Sequence, residues 1–326
     1  MLYSTLIEST DPDEFFTMVR PHYYIPTVTQ KGTFTARAQL YECGRLYAQV
    51  REEHLARVVP VHNLRPGVLF LTKPGPPIYC NGAEIGYDNL LLCNRGTTYL
   101  SRLSGPVAWG SMTLESGEMA TAYTEYLGAS PDWVDSFKVI SPPPATLARL
   151  RYLHSRLAVL AKVTGQRVVP AAAQIRLEEM LIEIMLDNIT KAEMRPDTIA
   201  RQHHHLIISR FFEALDERPG SSLSMPDLSR KIGVSSRTFR MACQEQLGVS
   251  PTHYLLLRRM QLARNALQQA DPALTRVTDI ATEFGFWELG RFAVKYHELF
   301  GETPSTTLRS AESRNLQSRW WTYAAA

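Results

Sequence analysis

The sequence predicts an α+β chain of two domains, a strand-rich N-terminal part and an all-helical C-terminal part. Three observations carry this. Up to about residue 140, short apolar runs alternate with Gly/Pro turns. Beyond Pro142-Pro143-Pro144 the apolar period becomes helical, and near the C-terminus one segment occurs twice in degenerate form. A length of 326 residues is enough for two cores.

The first strands come from Phe34 to Val50, which alternates in part and breaks at Gly44, so two strands and a tight turn are expected. Val68 to Thr72 is a strand bounded by Pro66-Gly67 and by Pro74-Gly75-Pro76-Pro77. Ile78 to Cys80, Leu90 to Asn94 and Val107 to Leu114 continue the pattern, and their spacing predicts a small antiparallel barrel or sandwich. Leu150, Leu153, Leu157 and Leu160 form a heptad seam along one helix. After a break at Gly165 and Pro170, a second helix runs from Ala171 to Ile189, with Leu177, Met180, Leu181 and Ile184 on its apolar face. The pair either covers the sheet or forms a dimer contact. Lys191 to Thr198 is polar and carries a proline, as a linker would. Thr198 to Arg218 is a further helix, ended by Pro219-Gly220-Ser221-Ser222.

The duplicated segment is Leu228–Pro251 (LSRKIGVSSRTFRMACQEQLGVSP) and Ile280–Pro304 (IATEFGFWELGRFAVKYHELFGETP). Each copy has a small residue (Ser229, Ala281), a turn glycine (Gly233, Gly285), a polar-initiated helix with a buried aromatic (Phe239, Phe292) and a closing Gly-x-x-Pro. Two copies are too few for a solenoid, and fit two helix-turn-helix units. In the first, Ser224 caps a short helix and Ser235 caps the next, which points Phe239, Ala242 and Cys243 inward. Ser236, Arg237, Arg240, Met241 and Gln244 are left facing outward. In the second, Phe292, Tyr296 and Phe300 point inward, and Glu288, Gly290, Arg291, Val294 and Lys295 outward. Leu256, Met260, Ala263 and Leu267 predict one long helix between the units, which would set their separation near one DNA turn, ~34 Å. Arginine can donate two hydrogen bonds to a guanine edge, so the first unit is the expected base reader and the second the clamp.

Composition agrees without deciding. Hydrophobic content of 44% and charged content of 21% are ordinary for a soluble globular chain. From Ser221 onward there are 13 Lys/Arg against 9 Asp/Glu, leaving 22 against 23 elsewhere, so the positive excess lies with the repeat. Cys43, Cys80, Cys93 and Cys243 have no metal-ligand spacing, so reduced buried thiols are expected. The N-terminus lacks a basic start and meets acids early, and no apolar run approaches a membrane span. A cytoplasmic protein with no membrane partner is expected.

Residues from about Phe211 to Ser310 resemble the DNA-binding domain of the AraC/XylS family of bacterial transcription regulators. The resemblance rests on Gly233 with Val234-Ser235, Gly248-Val249-Ser250-Pro251 with Tyr254-Leu255, and Arg259-Met260 with Ala263. It continues through Ile280-Ala281, Phe284-Gly285-Phe286, Arg291-Phe292 and Gly301-Glu302-Thr303-Pro304-Ser305. It implies a helical domain that binds promoter DNA, usually as an activator, with RNA polymerase as a partner. By position, Arg237, Arg240, Met241, Gly290, Arg291 and Val294 correspond to base readers. The chain departs from the family where Met241 and Val294 replace frequent arginines, and where Cys243 and Tyr296 replace phenylalanines.

The N-terminal part is similar in strand order and density to the cupin-like effector and dimerisation domain of such regulators, which implies a small-molecule effector and a possible homodimer. The division expected is a cupin-like domain at 1–190 (strands to about 140, helices 145–190), a linker at 191–210, the DNA-binding domain at 211–312 and a tail at 313–326. Tyr41, Tyr47, Trp109 and Arg37 are the candidate effector residues, with Tyr23, Tyr24, Arg45 and Arg51 as further possibilities. Two alternatives remain: a constitutive DNA binder without effector, and a metal-dependent cupin enzyme. The enzyme needs clustered His and carboxylates, whereas His54 and His62 are eight apart and His203-His204-His205 sit on a helix pointing apart. No catalytic residue, metal ligand or cofactor is expected.

Overall fold

A computed structural model describes residues 2–19, 26–128, 137–164, 171–194, 198–217 and 224–310. Tyr23, Tyr24, the Gly165–Pro170 break, the 219–222 turn and the tail with Trp320, Trp321 and Tyr323 lie outside them. The elements begin with β1 (Leu2–Ser9), α1 (Pro12–Val19), β2 (Thr27–Val28), β3 (Ala36–Cys43), β4 (Leu46–Glu53), β5 (Arg57–His62) and β6 (Gly67–Leu71). They continue with β7 (Ile78–Cys80), β8 (Ala83–Ile85), β9 (Leu90–Cys93), β10 (Thr98–Leu103), β11 (Val107–Leu114), α2 (Ser116–Leu127) and β12 (Lys138–Ser141). Then come α3 (Pro144–Thr164), α4 (Ala171–Thr190), β13 (Glu193–Met194), α5 (Ile199–Asp216), α6 (Met225–Ile232) and α7 (Ser236–Leu247). The chain closes with α8 (Pro251–Gln269), α9 (Val277–Glu283) and α10 (Leu289–Phe300). They group into two compact units, one of residues 1–24, 35–54 and 59–202, the other of 25–34, 55–58 and 203–326.

The α+β class holds, with one correction. The strands do not close into a barrel. They form two sheets, one in the order β1-β3-β4-β11-β6-β9-β12-β13 and the other β2-β5-β10-β7-β8. In β6 and β9 both faces are buried, and successive residues serve different layers. Leu69, Leu71, Leu91 and Cys93 pack with Ile78, Ile85, Tyr99 and Leu103 of the smaller sheet. Val68, Phe70, Leu90 and Leu92 pack instead against Leu147, Leu150, Leu157, Leu181 and Met185 of α3 and α4. Of the leucine seam of α3, Leu150 and Leu157 are buried in this core, Leu153 packs at its edge and Leu160 is half-buried. Met180, expected on the apolar face of α4, is 44% exposed, whereas Leu181 beside it is fully buried. Leu177, Leu181 and Ile184 pack into the core as expected, so Met180 alone leaves the stripe.

The strands predicted from Phe34–Val50 are β3 and β4, paired from Ala36↔Glu53 to Cys43↔Leu46 about Gly44. All four cysteines are buried thiols, and burial pushes the Cys43 thiol up to about 11, too high for a reactive thiolate at neutral pH. No helix among the described residues is long and apolar enough to cross a membrane.

Candidate nucleic-acid interface

Both copies of the repeat fold as helix-turn-helix units, and the sequence explains their local geometry. Ser224 and Ser235 accept hydrogen bonds from the backbone N–H of Asp227 and Thr238, satisfying donors at the starts of α6 and α7. The turns are closed in the same way in both copies. Val234 N–H donates to the carbonyl of Ser229 at 3.1 Å, and Phe286 N–H donates to that of Ala281 at 2.9 Å. Such a closure needs a left-handed residue between, and Gly233 (φ 81°) and Gly285 (φ 77°) provide it.

Each unit has its own core. In the first, Phe211 of α5 packs edge-on to Phe239 of α7 at 5.0 Å and to Tyr254 of α8 at 5.9 Å, with Ala242 and Cys243 fully buried. In the second, Phe286, Phe292, Tyr296 and Leu299 pack with Met260, Ala263 and Leu267 of α8. Phe300, expected to be buried, is only half-buried at the rim of this cluster, and Leu299 takes the inward position. α8 contacts both α7 and α9, so it fixes the two units on one rod. At 1.5 Å per residue its 19 residues span about 28 Å.

The residues left outward are those expected. Ser236, Arg237, Arg240, Met241 and Gln244 are exposed along α7, and Glu288, Gly290, Arg291, Val294 and Lys295 at the start and along one side of α10. The two faces differ in commitment. Among the described residues neither Arg237 nor Arg240 has a carboxylate partner, so their donors are turned to solvent. Arg291 is paired with Glu288 at 2.9 Å. Gly290 has no internal reason to be glycine, because a Cβ there would meet no atom within 4 Å. A helical glycine gives up as much as about 1 kcal/mol relative to alanine, so the open space has a cost without a benefit to packing. Sequence reasoning missed Trp287, which is 77% exposed just before α10. The signal was its place in the turn, where the other aromatics of the copy are packed.

The four candidate effector residues do not meet in one place. Tyr41 and Tyr47 line a cavity of about 280 Å³ together with Gln49, Asn63, Arg65 and Ser111. Gln49 donates to Ser111 Oγ at 2.7 Å, and the Arg65 guanidinium lies 3.6 Å over the Tyr47 ring. Trp109 does not line it. It is buried between the sheets, where its Nε1–H donates to Glu53 at 3.0 Å. Arg37 lies beside a second hollow of about 290 Å³ that it shares with Tyr41, and it pairs with Glu8 at 3.2 Å. Arg45 is committed to Glu118 and Glu178, and Arg51 donates to Gln49 at 2.9 Å. Among the described residues no three His, Cys, Asp or Glu side chains gather to hold a metal. His204 pairs with Glu245 instead.

Residues 228–310 match a family model described as a helix-turn-helix domain. Over 110 residues the chain is 30% identical to the XylDLEGF operon transcriptional activator 2 of Pseudomonas putida, covering 34% of this chain and 70% of that one. The chain belongs to the AraC/XylS family of transcription regulators. It is also 40% identical over 104 residues to the probable thc operon regulatory protein of Rhodococcus erythropolis, covering 32% of this chain and 30% of that relative. The chain spans about a third of the length of most of the curated relatives it matches. Among solved structures it is similar to the AraC-like transcriptional activator CuxR, at 12% identity and a TM-score of 0.43, covering 81% of this chain and 95% of that one. The matched family model lies wholly within the C-terminal unit.

Proposed function

We propose that this AraC/XylS chain is a ligand-responsive transcription regulator that reads promoter DNA in the cytoplasm through α7 and α10 and activates RNA polymerase there. The observation that carries the reading is a pair of solvent-facing arginines, Arg237 and Arg240, that have no carboxylate partner among the described residues and lie on the second helix of a helix-turn-helix unit. An uncommitted guanidinium keeps its full donor fork for a guanine edge. Ser236, Met241 and Gln244 flank them. Glu288, Gly290, Arg291, Val294 and Lys295 form the second contact. A domain at 211–312 holds both, preceded by a connecting stretch at 191–210 that takes in the first part of α5.

The N-terminal domain, 1–190, receives the effector and provides a homodimer contact. The cavity at Tyr41 and Tyr47 supports this, since buried Gln49, Asn63 and Ser111 bring polar atoms to a half-open hollow also lined by Leu40, Ala48 and Leu64. Trp109 bears on it through Arg51, which lies 4.9 Å from its ring and donates to Gln49, and Arg37 bears on it from the neighbouring hollow.

The test uses the full chain and the duplex it enriches from a random-sequence pool. Arg240→Ala is expected to weaken binding to that duplex by roughly ten- to a hundredfold, the worth of one bidentate base contact. Binding to random duplex is expected to stay the same. Equal losses on both would make Arg240 a phosphate contact and remove the base-reading role.

A further inference from the structure

Trp287 belongs to none of the contacts assigned above. It precedes the Glu288 cap of α10 and is 77% exposed, so most of a large apolar ring is left in water. Val294, on the outward side of the same helix, is 60% exposed. Between them lies Gly290, whose missing side chain nothing in the protein fills. On the opposite side Phe292, Tyr296 and Leu299 are buried, so these residues are not needed to hold the helix in place. An exposed indole just before α10, open space at Gly290 and an exposed Val294 thus accompany the outward residues of this helix.

We infer that Trp287 and Val294 recognise thymine through its 5-methyl group, with Gly290 giving the base edge room to approach. The inference rests on α10 being a DNA-reading helix. The thymine methyl is the one apolar feature of the major-groove edge, and it is the feature an uncharged patch can distinguish from cytosine. Arg291 and Lys295 on the same helix supply cations for the flanking phosphates. The patch is therefore continuous with the surface that meets the duplex. The two units then read different chemistry. α7 offers guanidinium donors to hydrogen-bonding edges, and α10 offers apolar surface to methyl groups.

The experiment takes the duplex that the full wild-type chain enriches from a random pool and replaces each thymine in turn by deoxyuridine. This removes the methyl and leaves base pairing intact. At one or two positions the wild type is expected to bind about fourfold more weakly, the worth of one buried methyl group. Trp287→Ala and Val294→Ala are expected to bind the thymine duplex more weakly and to lose no more on deoxyuridine at those positions. Trp287→Phe keeps part of the sensitivity, and all variants keep wild-type affinity for random duplex. Deoxyuridine tolerated at every position by the wild type would overturn the inference. So would Trp287→Ala binding the thymine duplex as tightly as the wild type, which would leave the indole to a protein partner. A pool that yields no enriched sequence would remove the DNA-reading role of α10 itself, and the methyl contact with it.

Discussion

Replacing Phe239 by Ala is expected to destabilise the first helix-turn-helix unit by about 3–5 kcal/mol, the usual cost of truncating a buried phenylalanine. Its ring is fully buried and packs edge-on against Phe211, which in turn meets Tyr254, so three helices share one aromatic cluster. Removing the ring leaves a void where α5, α7 and α8 converge. Because α7 carries Arg237 and Arg240, sequence-specific binding is expected to fail together with the fold. Urea unfolding followed by circular dichroism, alongside binding to the enriched duplex, checks this. Arg237→Ala is the contrast, since its side chain is exposed and its loss should leave the unfolding midpoint unchanged. A Phe239→Ala chain with wild-type stability would show that the cluster does not hold the unit together.

Acid is expected to destabilise the N-terminal unit through His154. The imidazole is buried in α3 against Phe70 and the backbone at Gly110, where an added Cβ would lie 2.6 Å from its Cε1. Burial pushes its pKa down to about 4, against a weaker upward pull from the backbone of Ser111 and Gln49. In the unfolded chain the group returns to its ordinary value of about 6.5. Between these values the unfolded state binds the extra proton. The neutral-histidine contribution is therefore complete above about pH 6.5 and is lost as pH falls toward 4. The loss amounts to about 3 kcal/mol for a shift of this size. Unfolding measured from pH 8 to pH 4 in the wild type and in His154→Gln should give a steeper fall in the wild type. Parallel curves would mean that His154 does not couple folding to protons.

Much of the C-terminal unit was legible because its determinants are local. Ser224, Ser235, Gly233 and Gly285 fix caps and turns within a few residues of themselves, and the inward positions of Phe239 and Phe292 follow from helical spacing. The strands at 78–80 and 107–114 were legible too, since turns bound them closely. β5 was hidden by Pro60, which breaks the strand pattern, and β1, β8 and β10 lacked a clear alternation. The open pair of sheets could not be read, because it depends on non-local pairing. β11 lies between β4 and β6, and nothing near Val107–Leu114 specifies those neighbours. The fate of Trp109 has the same origin. An aromatic on a strand does not reveal whether its face meets a cavity or a second sheet. Met180 and Phe300 show the smaller limit, a helix face misjudged by one residue where two apolar residues are adjacent.

The central claim is that two rigidly spaced helices, α7 and α10, enter the major groove of one duplex. Guanine-N7 methylation protection on the enriched duplex, with the full chain bound, tests it most directly, read beside thymine-specific oxidation for the α10 side. Two protected segments on one face, about 10 base pairs apart, are expected. Arg240→Ala should lift protection in one segment alone, and Trp287→Ala in the other. A single protected segment, or protection that either substitution removes throughout, would contradict it.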